Sequence, residues 1–166
     1  MALSHESSTL LDIQSLAHVE KSRIAIVHTE WNEKIVEELV NGAKSMIHRL
    51  KGDIMENVAV PGCFEIPFAC RRLWQHYEHK PDRPEAIIAF GTVIRGGTPH
   101  FDYVCKAVTD GILQLNLMLP IPVIFGVLTL DTEEQAWERL GGTHGHKGEE
   151  AAITAVKMIK QCRRYH

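Results

Sequence analysis

Four short runs of β-branched and apolar residues recur along this chain. Each is followed by a stretch with helical spacing, and that alternation leaves few folds open. Arg23–Thr29 reads RIAIVHT, Ile54–Val60 is closed by Pro61-Gly62, Ala86–Ile94 reads AIIAFGTVI and Pro122–Leu130 reads PVIFGVLTL. Such runs suit strands buried on both faces. Between the first two, Ile35, Leu39, Val40, Ala43, Ile47 and Leu50 fall on one helical face, which predicts a helix over roughly 32–50. Pro67 fits the first turn of a second helix ending near Tyr77, where its missing N–H does no harm. A turn-rich loop follows from His79 to Pro84, and a third helix is expected from His100 to Met118. Thr132 is placed to cap a fourth helix, with Gln135 at the capping-box position and Glu133 and Glu134 at its positive end. Gly141-Gly142 should stop that helix, and Glu149 to Cys162 reads as a last one.

The order β-α-β-α-β-α-β-α-α predicts an α/β fold. Its form is a three-layer α/β/α sandwich around a four-stranded, mainly parallel, flavodoxin-like sheet. Residues 1–21 are weakly patterned and read as an N-terminal arm, with one domain over 22–166. The formal net charge is −3 and no basic block occurs, which argues against nucleic acid as a partner. The four cysteines form no C-x-x-C pair, so a reducing compartment is expected and a zinc or redox motif is not. No apolar run reaches the roughly 18 residues of a membrane span, and Met1–Ser8 lacks the basic-then-apolar order of a secretory signal. The expected location is cytoplasmic, with no membrane partner.

In parallel sheets, ligands sit beyond the carboxyl ends of the strands, so the candidate residues lie in the loops that follow them. The segment Arg95-Gly96-Gly97-Thr98-Pro99-His100 leaves a strand and opens a helix. Its glycines, its hydroxyl and the free N–H groups of a helix start could seat a phosphate; an unliganded tight turn would look the same. His100 stands where an imidazole could move protons, or could simply cap the helix. Trp31 and Phe64 lie in two loops at the same end of the sheet, placed either to sandwich a heterocycle or to fill the core. Asn32 and Glu65 could bind hydroxyls or amide edges, or serve as helix caps. Arg139 and Lys147 could bind anions, or be ordinary solvated charges. His144 and His146 offer two metal ligands without a third, so no metal is expected.

Taken in order, these segments resemble the 6,7-dimethyl-8-ribityllumazine synthase family. The resemblance rests on Trp31-Asn32, on Val60-Pro61-Gly62-Cys63-Phe64-Glu65-Ile66-Pro67 and on the run from Gly91 to Tyr103. It continues through Pro122–Gly126, Glu134-Gln135-Ala136 with Glu138-Arg139, and Gly145-His146-Lys147-Gly148, spanning residues 23–160. It implies condensation of 5-amino-6-(D-ribitylamino)uracil with 3,4-dihydroxy-2-butanone 4-phosphate, without a cofactor. It also implies roles. Trp31 stacks on the pyrimidine. Asn32, Cys63, Phe64 and Glu65 line the pyrimidine and ribityl pocket. Thr92, Val93 and Ile94 present backbone to the ring. Gly97 and Thr98 hold the sugar phosphate, and His100 transfers protons. Phe125, Arg139 and Lys147 match positions supplied by the neighbouring subunit, with Arg139 on the phosphate.

The implied assembly is a homo-oligomer built from pentamers, with active sites between adjacent subunits and riboflavin synthase as a candidate partner. Pentamer, decamer and 60-subunit shell stay open at this stage. So do two rival readings on the same fold, a non-catalytic flavin or lumazine binder and a shell-forming protein. His146 departs from the asparagine usual in the family, and the Pro81–Pro84 loop is longer than in common bacterial members.

Overall fold

The computed structural model describes Ile13, Leu16, Val19 and residues 21–165. Four strands carry the fold: β1 (Arg23–Thr29), β2 (Asp53–Val60), β3 (Ala86–Ile94) and β4 (Val123–Leu130). The helices between and after them are α1 (Glu33–Arg49), α2 (Ile66–Tyr77), α3 (His100–Met118), α4 (Glu134–Trp137) and α5 (Lys147–Arg164). The sheet order is β2-β1-β3-β4, and every pairing is parallel. This is the three-layer α/β/α, flavodoxin-like architecture expected from the alternation of apolar runs and helical periods.

The central strands divide their side chains between two cores. From β1, Ile24 and Ile26 enter one core with Ile88 and Phe90 of β3, packed under α1 and α5. Ala25 and Val27 point the other way, with Ile87 and Ala89, under α2 and α3. Strict alternation of side chains across a strand forces this split, and both faces are apolar because both are covered. Each fully buried isoleucine contributes about 1.5–3 kcal/mol relative to exposure. Phe90, the largest fully buried side chain, needs Gly126 beside it: a Cβ there would lie 2.5 Å from the Phe90 Cδ1.

The arm expected over 1–21 lies largely outside the described residues. Within it, Leu16 and Val19 are buried in the core under α1 and α5.

The region after β4 departs from the sequence reading. The fourth helix is only four residues long, its N-cap is Glu133 rather than Thr132, and no side chain caps it. Gln135 does reach back, but its Oε1 accepts from the backbone N–H of Asp131 at 2.9 Å. Beyond Trp137 the chain forms a small antiparallel hairpin, β5 (Leu140–Gly142) and β6 (Gly145–His146). Gly141 and Gly142, expected to stop a helix, lie instead in β5, and Gly141 and Gly145 shape the hairpin with φ of 101° and 73°. The last helix opens two residues earlier than expected, at Lys147, with His146 as its N-cap.

Candidate active site

β1 and β2 end side by side, and β3 runs on three residues further beside β4. Thr29 closes β1 in register with Val60 of β2, while His28 pairs with Phe90 of β3. The loops that follow are tied together by main-chain bonds. The Glu30 N–H donates to the Val60 carbonyl at 2.8 Å, and the Trp31 N–H donates to the Pro61 carbonyl at 3.2 Å. Asn32 caps α1 in the left-handed conformation, and its side-chain amide donates to the Thr92 carbonyl at 2.9 Å. Trp31, Asn32, Phe64, Glu65 and Thr92 therefore gather at one edge of the sheet.

Cys63 forms the floor. Its thiol is buried, and a Cβ on Gly91 would sit 2.5 Å from Sγ, so the strand must carry a glycine there. Burial pushes the Cys63 thiol up to about 12, with Cys105 and Glu65 adding to the rise and a hydrogen bond from the Thr92 backbone opposing it. Such a thiol stays protonated at neutral pH and serves as a wall rather than a nucleophile. Thr92 is also buried, and its Oγ1 has no hydrogen-bond partner among the described residues.

Above this floor the site is open. Trp31 is 74% exposed and Phe64 64%, leaving two aromatic faces unpacked. Large exposed rings are unusual in a finished surface and suit stacking on a flat ligand. Val93 and Ile94 finish β3, half-buried, and lead into the exposed residues Gly97, Thr98 and His100. His100 is the first residue of α3, and no side chain caps that helix.

Three of the expected residues do not join this cluster within one chain. Phe125 sits midway along the edge strand β4, opposite Ala89. It lies three residues, or about 10 Å, short of the Thr92 level. Arg139 and Lys147 belong to the β5–β6 hairpin region, where the Lys147 N–H donates to the Arg139 carbonyl at 2.8 Å. Lys147 Nζ is paired with both oxygens of Glu150 at 2.8 Å, and Arg139 Nη1 donates to the Gln135 carbonyl at 2.8 Å. The segment from His146 to Gly148 rests on α1 at Leu39 and Gly42. That contact is two to three turns or about 10–15 Å down α1 from Asn32.

Two features of this edge escape a sequence reading. One is Gly91, whose missing side chain makes room for the Cys63 thiol. The other is Arg95, whose guanidinium bonds to Asp131 and Asp102 and lies over the Phe101 ring. Hydrogen bonding to Asp131, helped by Asp102, pushes the Arg95 pKa above its ordinary value. Among the described residues no cluster of three metal-ligating side chains occurs, and no helix is long and apolar enough to cross a membrane.

The fold defines an α/β protein with a parallel sheet, and the loops at the carboxyl ends of its strands hold the candidate site. A family model described as 6,7-dimethyl-8-ribityllumazine synthase matches residues 21–163. The chain is 44% identical to the 6,7-dimethyl-8-ribityllumazine synthase of Parabacteroides distasonis, over 96% of its own length and 98% of the relative's. It is 45% identical to that of Porphyromonas gingivalis, over 95% and 96% of the two chains. With the corresponding protein of Streptomyces avermitilis the identity is 46%, over 81% of each. This chain belongs to the 6,7-dimethyl-8-ribityllumazine synthase family.

Proposed function

We propose that this protein is a transferase that condenses 5-amino-6-(D-ribitylamino)uracil with 3,4-dihydroxy-2-butanone 4-phosphate. The product is 6,7-dimethyl-8-ribityllumazine, in the penultimate step of riboflavin biosynthesis. The observation that carries this reading is that two exposed aromatic rings, Trp31 and Phe64, and the exposed loop of Gly97, Thr98 and His100 all follow strands at the carboxyl end of one parallel sheet. The amine attacks the ketone and water leaves to give an imine. Phosphate is then eliminated, an enol forms and tautomerises, and the second nitrogen closes the ring with loss of another water. Every step moves protons, and His100 at the mouth of the site is the residue we assign to that work.

In this reading Trp31 stacks on the pyrimidine, and Asn32, Cys63, Phe64 and Glu65 line its pocket. Val93 and Ile94 offer backbone groups beside Thr92, whose carbonyl already accepts from Asn32. Gly97 and Thr98 hold the phosphate. Holding two substrates in contact supplies most of the acceleration, up to about 7–11 kcal/mol in favourable systems.

We assign Phe125, Arg139 and Lys147 to the site of an adjacent subunit, in a homo-oligomer built from pentamers. Their distance from this chain's own edge supports that assignment. So does the C-terminal half of α3, which leaves Leu113, Leu117 and Met118 exposed. A cytoplasmic location is part of the same proposal, supported by the buried free thiols of Cys63 and Cys70. The direct test mixes the two substrates with the protein and follows lumazine absorbance. A folded protein that forms no lumazine would refute the assignment.

A further inference from the structure

Every residue of the loop from Arg95 to His100 is exposed, and Gly96 and Gly97 have no atom within 4 Å of where a Cβ would stand. Packing therefore does not set its shape, as it does for buried segments. What spans it is one guanidinium. Arg95 Nε donates to Asp131 Oδ1 at 2.9 Å, just beyond β4. Its Nη1 lies 3.3 Å from Asp102 Oδ1, in the first turn of α3. Its Cζ stands 4.0 Å from the centroid of the Phe101 ring. The Arg95 backbone N–H donates to the Leu130 carbonyl at 2.8 Å, so the residue that opens the loop is also anchored to β4.

We infer that Arg95 is a positioning residue for the sugar-phosphate seat. It clasps the end of β4 to the start of α3 across the loop, and so fixes where Gly97, Thr98 and His100 stand. This rests on the reading of those three residues given above. Only a guanidinium fits the task. Two of its nitrogens reach carboxylates on different elements while its flat face lies on a ring; an ammonium is a point charge and cannot do all three. Nε and Nη1 are each committed to a carboxylate, so we assign Arg95 to act through the loop rather than as the phosphate ligand. It also neutralises Asp102 and Asp131, which would otherwise stand uncompensated beside a seat for an anion. Exposed ion pairs add little to stability, so loss of the clasp is read in ligand binding before it is read in folding.

The test compares Arg95→Met, Arg95→Lys and Thr98→Ala, varying each substrate in turn, with inorganic phosphate as competing inhibitor. Arg95→Met is expected to raise both the KM for the butanone phosphate and the Ki of inorganic phosphate about tenfold, with Arg95→Lys between it and wild type. The KM for the ribitylaminouracil should stay within about twofold, and the thermal midpoint within a few degrees. If Thr98→Ala raises the phosphate constants and Arg95→Met does not, the clasp is wrong and the phosphate seat stands. If neither variant moves them, the seat itself is misplaced and the clasp falls with it. A large drop in thermal midpoint with both KM values rising together would make Arg95 merely structural and overturn the inference.

Discussion

The side-chain amide of Asn32 donates to the main-chain carbonyl of Thr92 at 2.9 Å, joining the loop after β1 to the end of β3. Asn32 holds φ of 59°, a left-handed conformation that asparagine tolerates better than most side chains. Alanine would lose the bond and strain the backbone, whereas glycine would lose the bond alone. We expect Asn32→Ala to cost about 2 kcal/mol and Asn32→Gly about 1 kcal/mol. Urea unfolding at matched protein concentration measures both; equal losses would mean that the backbone conformation contributes nothing.

The buried Cys63 thiol, pushed up to about 12 mainly by burial, has no thiolate to offer at neutral pH. Cys63→Ala is therefore expected to keep turnover within about threefold of wild type, the change coming from a small void against Gly91. Stopped-flow traces of lumazine formation decide this. A loss beyond about a hundredfold would give the sulfur a chemical role.

Gly42 and His146 make an equally local prediction. A Cβ on Gly42 would stand 2.0 Å from the His146 Cε1, inside the imidazole. That ring accepts from the Glu149 N–H at 3.4 Å as the α5 N-cap, and its Nε2 lies 3.5 Å from Glu38. His146 also pairs with Leu140, next to Arg139. Gly42→Ala should cost about 1–3 kcal/mol and displace the hairpin that carries Arg139 and Lys147. Combining it with His146→Ala should cost less than the sum of the single changes, because the clash is then gone. Strict additivity in thermal melts would contradict the contact.

Much of this fold is legible in the sequence. The four strands are found because their apolar runs are buried on both faces, and the edge residues because a parallel sheet puts its loops at one end. The α4 region differs from its sequence pattern because Thr132, Gln135 and Gly141-Gly142 satisfy the local grammar of a helix, while the chain uses those glycines in a hairpin. The pairing of Gly42 with His146 has no periodic signature. It joins residues 104 positions apart, and the only hint was a glycine inside an otherwise good helix. The Arg95 clasp is hidden for the same reason: its carboxylates come from two other elements.

Glu85 gives the protein a defined acid sensitivity. Burial alone would raise its pKa, but hydrogen bonds from Arg163 and from the Arg23 backbone, with the charge of both arginines, hold it below its ordinary 4.5. A depressed carboxyl stabilises the fold fully above its unfolded value and loses that contribution as pH falls through the folded one. Glu85→Gln should thus be less stable than wild type near neutral pH, and the gap should close as pH drops from about 5 to about 3. A gap that stays constant across that range would show that the ion pair is not what Glu85 contributes.

His100 and Arg139 should fail differently when removed, because one is assigned to proton movement and the other to anion binding. A positioned acid–base group contributes about 10²–10⁴-fold, so His100→Ala should lower kcat by that order while leaving the KM values near wild type. Arg139 Nη1 donates to the Gln135 carbonyl and lies 3.6 Å from Glu138, and the rest of the guanidinium is what we assign to the anion. Arg139→Ala should therefore raise the KM for the butanone phosphate about tenfold or more, and Arg139→Lys should recover only part of it, lacking the fork. Mixing subunits sharpens the test. If each site is built from two chains, a co-assembled population of His100→Ala and Arg139→Ala subunits contains some junctions with both residues intact. Activity above that of either variant alone is then expected, and its absence from a demonstrably mixed assembly would confine both residues to one chain's site.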